Sequence, residues 1–309
     1  MKQALKAVAL MGATGTGKSA LAMKIAQAFD IHIISCDSMQ LYRGLDIGTA
    51  KPSAEERQQV HHEMIDCADL SETYSAARWA DEVAAVIKAE NDRGKVPLIV
   101  GGTGMYLRAL IEGFADIPAE KPEIRENLQQ LQKKHGAAHL HALLKAVDSE
   151  SADKLNEGDT QRIMRALGVY QSSGKTLTYW QQGGDKQTGP DERKIDCPVV
   201  VLEMQRELLR ERIARRFHAM MDAGWLDETR WLNDQSLGEM HPAVRAVGYR
   251  QLLQHLHGEL SLEDAVRDGI TATRRYAKRQ QTWFRHQTPD AMFGDAEACF
   301  EAISRILNQ

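Results

Sequence analysis

The octapeptide Gly12-Ala13-Thr14-Gly15-Thr16-Gly17-Lys18-Ser19 has the pattern G-x-x-x-x-G-K-[ST] of a phosphate-binding loop. It follows directly on the apolar run 7–11 and precedes a helix-like segment, a strand–loop–helix context that argues against a chance match. Glycines let several backbone N–H groups face one point, and the N-terminus of the following helix adds positive potential. Lys18 supplies a full charge, and the Ser19 hydroxyl suits a magnesium ion. The stretch therefore predicts a site for a compound with at least two phosphates.

Around this loop, the first hundred or so residues alternate between apolar strand-like runs and segments with helical spacing of apolar residues. Such alternation, with polar loops after the strands, is typical of a parallel sheet that binds ligands at the carboxyl ends of its strands. The predicted strands are 7–11, 31–34, 96–100 and 197–202, and the predicted helices are 18–29, 75–90, 206–223 and 261–286. We therefore predict an α/β fold, namely a P-loop NTPase-like parallel sheet flanked by helices.

The character of the chain changes near Asp116. Residues 116–195 are charged and rich in glutamine and other helix formers, and no strand is expected before 197–202. Pro118 and Pro122 mark the entry, and the polar, glycine-rich stretch 181–190 marks the exit. The predicted organisation is a first part of the core over 1–115, a helical insertion domain over 116–195, and the core continuation with C-terminal helices over 196–309.

The bulk composition is that of a globular protein and points to no particular partner. With 309 residues, 43% hydrophobic and 27% charged, the chain can bury one large core or two modest ones. The net charge of −4 means that any nucleic-acid site must be a local patch. No apolar run approaches a membrane span and no signal peptide is recognised, so a cytoplasmic protein is expected. The cysteines at 36, 67, 197 and 299 are scattered, which favours reduced, buried thiols.

Two strand ends carry residues that could act at the predicted site. Asp37 follows the second predicted strand, and it could either cap a helix beginning near Ser38 or act as a general base or metal-shell ligand. The third strand ends in Gly101-Gly102-Thr103-Gly104, which could be a tight turn or could let a ligand approach the backbone closely beside the Thr103 hydroxyl. Enzymes that hydrolyse nucleotides commonly place an Asp at such a strand end to hold magnesium through water. This loop has no acidic residue, which argues against nucleotide hydrolysis without excluding it.

A basic segment near the C-terminus is the second strong signal. Between Asp268 and Asp290 the chain has no acidic residue. Arg274, Lys278 and Arg285 are spaced i, i+4 and i+11 and form one predicted cationic stripe, which Arg275 and Arg279 extend. Tyr276, Trp283 and Phe284 are interleaved with them. The segment could be a solvated basic face, but charge segregated in this way favours a polyanion, and the aromatic side chains favour RNA.

Several segments together resemble the tRNA dimethylallyltransferases (tRNA isopentenyltransferases, the IPP transferase family). Beside the phosphate loop, the matching segments are Asp37–Pro52, His61–Asp66, Tyr74–Ala77, Val100–Tyr106, Asp159–Leu167, Arg216–Met220, Val247–Arg250 and Thr273–Arg285. They span nearly the whole chain. The chain departs from the family pattern at Ala13, Gly15 and Thr16 inside the phosphate loop, and at Glu157-Gly158, where the family has Pro-Asn before the Asp-x-Gln-Arg motif. The second departure bears on the RNA contacts of that loop.

The resemblance implies Mg²⁺-dependent transfer of a dimethylallyl group from dimethylallyl diphosphate to the exocyclic amine of the adenosine just 3′ of the anticodon. It implies catalytic roles for Asp37, Thr103, Lys18 and Arg216, diphosphate binding by Gly12–Ser19, and metal binding by Ser19. It implies tRNA contacts from Asp37, Ser38, Met39, Gln40, Thr103, Arg125, Gln161, Arg162, Ile163, Met164, Arg165, Arg245, Gly248, Tyr249, Arg250, Arg274, Arg275, Lys278 and Arg279. The insertion domain would contact the anticodon stem-loop of the tRNA. A monomer that does not bind membranes is expected, with dimethylallyl diphosphate rather than ATP in the phosphate loop.

Three other functions are compatible with parts of the sequence. An isopentenyltransferase acting on free adenine nucleotides would share the chemistry but would need neither the insertion nor the basic segment. A P-loop small-molecule kinase would turn over ATP with a small acceptor. A non-catalytic, RNA-binding GTPase-like module is disfavoured because the chain has no guanine-recognition motif such as N-K-x-D.

Overall fold

A computed structural model describes residues 4–72, 74–113, 117–118, 120–183 and 195–308 of the chain. The chain divides into two compact units, one formed by Met1–Ile111 together with Arg193–Gln309 and the other by Glu112–Glu192. The first unit contains the sheet and the phosphate loop. The second is helical throughout the part that the structure describes.

The described residues of the first unit form a six-stranded sheet in which all neighbouring strands are parallel. The strands are β1 Leu5–Lys6, β2 Val8–Gly12, β3 Ile33–Cys36, β4 His62–Glu63, β5 Leu98–Gly101, β6 Ile195–Asp196, β7 Val199–Leu202 and β8 Met292–Gly294. Their order is β4-β3-β5-β2-β7-β8, while β1 and β6 pair separately. The loops after β2, β3 and β5 therefore leave adjacent strands at the same carboxyl edge.

Helices cover both faces of this sheet. In the first unit they are α1 Lys18–Phe29, α2 Ala54–Gln59, α3 Ala76–Asp92, α4 Gly104–Glu112, α9 Arg206–Asp222, α10 Trp225–Asp234, α11 Pro242–Arg245, α12 Tyr249–Leu256, α13 Leu262–Gln287 and α14 Ala296–Leu307. In the second unit they are α5 Pro122–Val147, α6 Ser149–Asp153, α7 Thr160–Ser173 and α8 Leu177–Gln181. Serine side chains cap two of the long helices, because Ser75 accepts from the Arg78 N–H and Ser261 from the Asp264 N–H, each at 3.1 Å.

The pleat of β2 divides the core between the two faces of the sheet. Ala9 and Met11 pack on one face with apolar residues of α3, α4, α12 and α13, while Val8 and Leu10 pack on the other with residues of α1 and α14. β2 is buried along its whole length, as expected of a central strand with both faces covered. The strand that carries the phosphate loop is thus held from both sides.

The second unit has a small core of its own. Its buried residues are Leu128, Leu140, Leu144, Ala152, Ile163, Ala166 and Leu167, contributed by α5, α6 and α7. Helix α5 is interrupted at Gly136, whose φ of 81° lies in the left-handed region, so the chain turns between two helical segments there.

The structure confirms the predicted alternation of strands and helices. The helix predicted at 18–29 has those bounds, and the other predicted helices match within two residues at each end. The strand predicted at 31–34 begins two residues later, at Ile33. The long C-terminal helix begins after Ser261, as the N-cap pattern predicts.

The short strands were not predicted. The expectation of no strand before Cys197 is wrong, because Ile195–Asp196 pairs in parallel with Leu5–Lys6. β4 and β8 at the two edges of the sheet are likewise absent from the prediction. Segments of two or three residues are too short to show a period, and only their partners make them strands.

The cysteines agree with the compositional analysis in part. All four cysteines are free thiols, although Cys67 and Cys197 are only half-buried. Among the helices that the structure describes, none combines the length and the apolar character needed to cross a membrane.

Candidate active site

The phosphate loop connects the end of β2 to the start of α1 in a tight curl. Gly15 and Gly17 have φ values of 87° and 97°, in the left-handed region that favours glycine. Within the curl, the Thr16 N–H donates to the Ala13 carbonyl at 3.3 Å. No side chain caps α1 at its N-cap residue Gly17, so the first turn presents its N–H groups and the positive end of the helix dipole in front of the loop.

A cavity of about 800 Å³ lies in front of this loop, entirely within the first unit. The predicted site residues that line it are Thr14, Gly15, Gly17, Lys18, Ser19, Asp37, Ser38, Met39, Gln40, Arg216, Arg245, Tyr249 and Arg279. Residues that the sequence analysis did not single out complete the lining, among them the apolar side chains Met23, Phe217, Met220 and Trp225. The cavity has the size and the mixed polar and apolar wall of a small-molecule site.

Positive charge is concentrated at the loop end of the cavity. The pKa of Lys18 is lowered to about 8, chiefly by burial; Asp37 and Cys36 oppose this lowering, and the charge of Arg216 contributes to it. Burial also lowers the pKa of Arg216, against the influence of Asp37. A Cβ placed on Gly17 would lie 2.9 Å from Nη2 of Arg212, so this guanidinium rests directly against the loop. Three buried or half-buried cations thus surround a space that an anion would fit.

Arg212 was missed from the sequence although a signal for it was present. It lies four residues before Arg216 on α9, and side chains at i and i+4 share one face of a helix. Both line the cavity. Tyr276 was named only as an aromatic residue of the basic segment, and its place in the cavity wall was not predicted. Burial raises the pKa of its phenol to about 12, with Asp37 adding to the effect.

Asp37 stands at the start of a tight turn and does not cap a helix, so the capping alternative is wrong. Its Oδ1 accepts from the Met39 N–H at 2.9 Å, and the turn that follows has no helical hydrogen bonds at 38–40. The Ser38 N–H donates to Oγ1 of Thr103 at 3.1 Å. Asp37 and Thr103 therefore lie side by side, because they follow the paired strands β3 and β5.

The glycines after β5 are required by close contacts. Gly101 pairs with Cys36, and a Cβ at Gly101 would lie 2.0 Å from the Cys36 carbonyl oxygen. A Cβ at Gly102 would lie 2.3 Å from Nε2 of Gln280, and one at Gly104 would lie 2.3 Å from Cε3 of Trp283. The backbone here is approached by protein side chains, which is a third possibility beside the two considered from the sequence.

A loop on the opposite side of the cavity is held by one carboxylate. Glu228 on α10 accepts from the N–H groups of Asp46 and Ile47 at 2.7 Å and of Gly48 at 2.9 Å. The hydroxyl of Tyr249 donates to the same carboxylate. This arrangement fixes the start of the segment 48–52 that lines the cavity. No local pattern marks Glu228, since its partners lie some 180 residues away.

Some residues predicted to contact tRNA are buried or form hydrogen bonds to other residues of the protein. Ile163 is fully buried in the core of the second unit, and its side chain offers no surface to RNA. Gly248 is buried, and its N–H donates to Oε1 of Gln251 at 2.9 Å. Tyr249 is 1% exposed, with its hydroxyl on Glu228. The amide of Gln40 bonds Ser35, Thr49 and Ala50, so this side chain shapes the cavity wall.

The other predicted RNA contacts keep accessible surface to different degrees. Arg125, Gln161, Arg162, Arg245, Arg250, Arg275, Lys278 and Arg279 are exposed, and Met164 and Arg165 are half-buried. Arg279 lies over the ring of Tyr276 at 5.6 Å. Arg165 donates to the Pro118 carbonyl at 3.4 Å.

Two residues of the predicted cationic stripe on α13 bind other parts of the protein. Arg274 donates to the Arg210 carbonyl on α9 at 3.2 Å, so it serves helix packing. Arg285 pairs with Glu203 at 2.7 Å. Arg275, Lys278, Arg279 and Arg285 are exposed, and Arg274 is half-buried.

The residues present fit a magnesium ion that is shared with a substrate. Ser19 stands at the start of α1 and lines the cavity together with Asp37. Among the described residues, no group of three or more His, Cys, Asp or Glu side chains is arranged to hold a metal. Magnesium commonly takes one or two protein oxygens and completes its shell with phosphates and water, so a single hydroxyl beside an anion site suffices.

The parallel sheet, the glycine loop after its central strand and the cavity at the carboxyl edge define a protein with a P-loop NTPase-like fold. A protein-family model described as IPP transferase matches residues 40–287. A tRNA dimethylallyltransferase of Azorhizobium caulinodans is 41% identical over 307 residues, which cover 99% of this chain and 97% of the relative. The chain therefore belongs to the IPP transferase family.

Solved structures agree with this assignment. The tRNA isopentenylpyrophosphate transferase of Bacillus halodurans is 32% identical, with a TM-score of 0.69 over 98% of this chain and 96% of that protein. A eukaryotic dimethylallyltransferase, solved in crystallographic snapshots of its action on tRNA, is 27% identical with a TM-score of 0.75 over 94% of this chain and 74% of that one. The resemblance stated from the motifs is confirmed.

The lowered pKa of Lys18 predicts a pH-dependent affinity for diphosphate. The ammonium is charged below about pH 8 and increasingly neutral above it, whereas a bound diphosphate favours the charged form. The affinity for inorganic diphosphate, measured by calorimetry, should therefore be full below pH 8 and fall above it, by up to about tenfold per pH unit.

The variant Lys18→Arg is the matched control, because a guanidinium stays charged throughout this range. The diphosphate itself titrates equally with both proteins, so only the difference between the two profiles reports Lys18. Parallel profiles for the wild type and Lys18→Arg would show that the ammonium does not lose its charge in this window.

Proposed function

We propose that this protein transfers a dimethylallyl group from dimethylallyl diphosphate to the exocyclic amine (N6) of the adenosine 3′-adjacent to the anticodon in tRNA, releasing diphosphate. The observation that carries the proposal is the shared cavity in which the phosphate loop, Lys18 and Arg216 face Asp37. Relatives named tRNA dimethylallyltransferase, which match the chain over nearly its full length, support it.

The loop end of the cavity would hold the leaving group. Breaking the allylic C–O bond of dimethylallyl diphosphate leaves a delocalised carbocation and places negative charge on the departing diphosphate. The uncapped first turn of α1, Lys18, Arg212 and Arg216 are in place to stabilise that charge as it develops. Met23, Phe217 and Met220 offer an apolar wall for the five-carbon group.

Magnesium, when bound with the diphosphate, would neutralise part of its charge. Ser19 is the residue that we propose to hold it. The structure of the loop places this hydroxyl at the start of α1, so its orientation is set by the same turn that presents the N–H groups.

Asp37 is proposed as the general base. The adenine amine is a weak nucleophile because its lone pair is delocalised into the ring, and loss of its proton to a carboxylate during attack lowers the barrier. A C–N bond forms as the C–O bond breaks, and the N–H proton goes to Asp37. Thr103 accepts from the Ser38 N–H, which leaves its own hydroxyl hydrogen to orient the amine or the diphosphate.

The tRNA would lie on exposed basic residues and present an unstacked adenosine to the cavity, as enzymes that modify a base require. Arg275, Lys278 and Arg279 are exposed on α13, and Arg279 also lines the cavity. In the second unit the exposed candidates are Arg125 and Arg162. We propose that the protein works as a cytoplasmic monomer. Free adenine nucleotides are disfavoured as acceptors, because they would use neither of these basic surfaces.

One assay tests the proposed function directly. Purified protein is incubated with labelled dimethylallyl diphosphate, magnesium and either unmodified tRNA or AMP. Label should enter the tRNA at the adenosine 3′ of the anticodon, and substitution of that adenosine by guanosine should prevent it. Label in AMP but not in tRNA would replace the proposal by the nucleotide-specific alternative, and ATP turnover with a small acceptor would indicate a kinase.

Replacing Asp37 by Ala or by the isosteric Asn should reduce transfer at least about a hundredfold, because both remove the proton acceptor. The Kd for tRNA, measured by filter binding, should change little, since the substitutions leave the basic surfaces intact. Asp92→Asn, which alters an exposed carboxylate on α3, serves as the control. Near-normal turnover of the Asn variant would refute the assignment of Asp37 as general base.

Charge reversal at Arg275 and Lys278 should weaken tRNA binding and flatten its salt dependence, by about one unit of slope for each phosphate that the protein ceases to neutralise. The matched control reverses Lys24 and Arg305, which are exposed on α1 and α14 at the other face of the sheet and change the net charge equally. If both double variants bound tRNA alike, the exposed face of α13 would be a solvated surface.

A further inference from the structure

Gln280 joins the phosphate loop to the turn after β5. It lies on α13, is 8% exposed, and its side-chain amide makes two hydrogen bonds to backbone groups. Its Oε1 accepts from the Thr14 N–H at 2.9 Å, and its Nε2 donates to the Gly102 carbonyl at 2.8 Å. One planar amide thus connects the loop that follows β2 to the turn that follows β5.

The first of these bonds commits one donor of the phosphate loop to the protein. The Thr14 N–H points at Gln280 and is therefore withdrawn from the set that can face an anion. The Thr16 N–H is engaged by the Ala13 carbonyl. The anion-facing donors are then the first turn of α1 and the glycines before it, which lie closest to Lys18 and Arg212.

The second bond reaches the catalytic side of the cavity. Gly102 immediately precedes Thr103, whose N–H donates to the Cys36 carbonyl at 3.1 Å and whose hydroxyl accepts from Ser38. The hydrogen bond from Gln280 to Gly102 is therefore connected, through the ends of β5 and β3, to the turn that begins at Asp37. Ala13, next to Thr14, and Ala277, on the same helix as Gln280, belong to one small buried apolar cluster with Leu209 and Ile213.

We propose that Gln280 is a positioning residue that holds the phosphate loop in its anion-binding curl and keeps it at a set distance from the turn bearing Asp37 and Thr103. Its loss would leave the Thr14 N–H and the buried Gly102 carbonyl without these partners, so the loop would open to satisfy them elsewhere. The inference deepens the proposed function, on which it rests for the identity of the diphosphate.

Two variants break the bridge from opposite ends. Gln280→Met keeps the length and apolar stem of the side chain but removes both hydrogen bonds. Gly102→Ala keeps Gln280 but places a Cβ 2.3 Å from its Nε2, which drives the amide away from the carbonyl. Gln287→Met is the control, because it makes the same change at the exposed end of the same helix.

Hydrogen exchange, diphosphate binding and kinetics are measured on all three full-length variants. In Gln280→Met and Gly102→Ala, exchange should rise in peptides covering 12–19 and 101–105 and stay unchanged elsewhere. The Kd for inorganic diphosphate and the KM for dimethylallyl diphosphate should rise about tenfold, while the Kd for tRNA changes less than about twofold. Gln287→Met should match the wild type in each measurement.

Two results would overturn the proposal. One is unchanged loop exchange and diphosphate affinity in both variants. The other is faster exchange throughout the protein in both, which would mean that Gln280 serves general packing. Neither hydrogen exchange nor diphosphate binding depends on prenyl transfer. If the wild type bound diphosphate in a Gln280-dependent way but modified no tRNA, the proposed function would be refuted and the proposed role of Gln280 would stand.

Discussion

The concentration of positive potential at the start of α1 is the constraint on which the rest of the site depends. The first turn is uncapped, and Lys18, Arg212 and Arg216 are brought against it. Burial and nearby like charges both raise the free energy of a charged side chain, which is why burial and Arg216 lower the pKa of Lys18. A dianionic or trianionic ligand would relieve this repulsion, so the feature that strains the free protein would also supply the affinity for the proposed diphosphate.

Asp37 has the opposite relation to this charge. It stands at the end of the neighbouring strand, where its carboxylate opposes the lowering of the pKa values of Lys18 and Arg216. In the proposed reaction the amine proton becomes acidic only while the C–N bond forms, and Asp37 would accept it at that stage. The group proposed to take the proton and the cations proposed to hold the leaving group line the same cavity.

Much of this could be predicted from the sequence because it is local. The loop, α1, Asp37 after β3 and the N-cap of α13 are each encoded within a few consecutive residues. The edge strands β4 and β8 exist only through their partners, and Glu228 acts on a loop some 180 residues away. The bond of Arg274 to the Arg210 carbonyl was not predicted, because charge spacing does not say which helix packs beside α13. Contacts between residues far apart in the sequence produce no periodic pattern of apolar residues from which they could be predicted.

Gln280 illustrates why a familiar loop can serve a different reaction. Within the strand–loop–helix unit alone, the Thr14 N–H has no partner and would be open to phosphate. Here a side chain from a helix 266 residues further along takes the Thr14 N–H and ties the loop to the Gly102 turn. The conformation of the phosphate loop thus depends on α13, the helix that also carries the exposed residues Arg275 and Lys278. The helix α13, which is proposed to contact the tRNA, and the phosphate loop, which is proposed to bind the leaving group, are thus connected by the buried side-chain amide of Gln280.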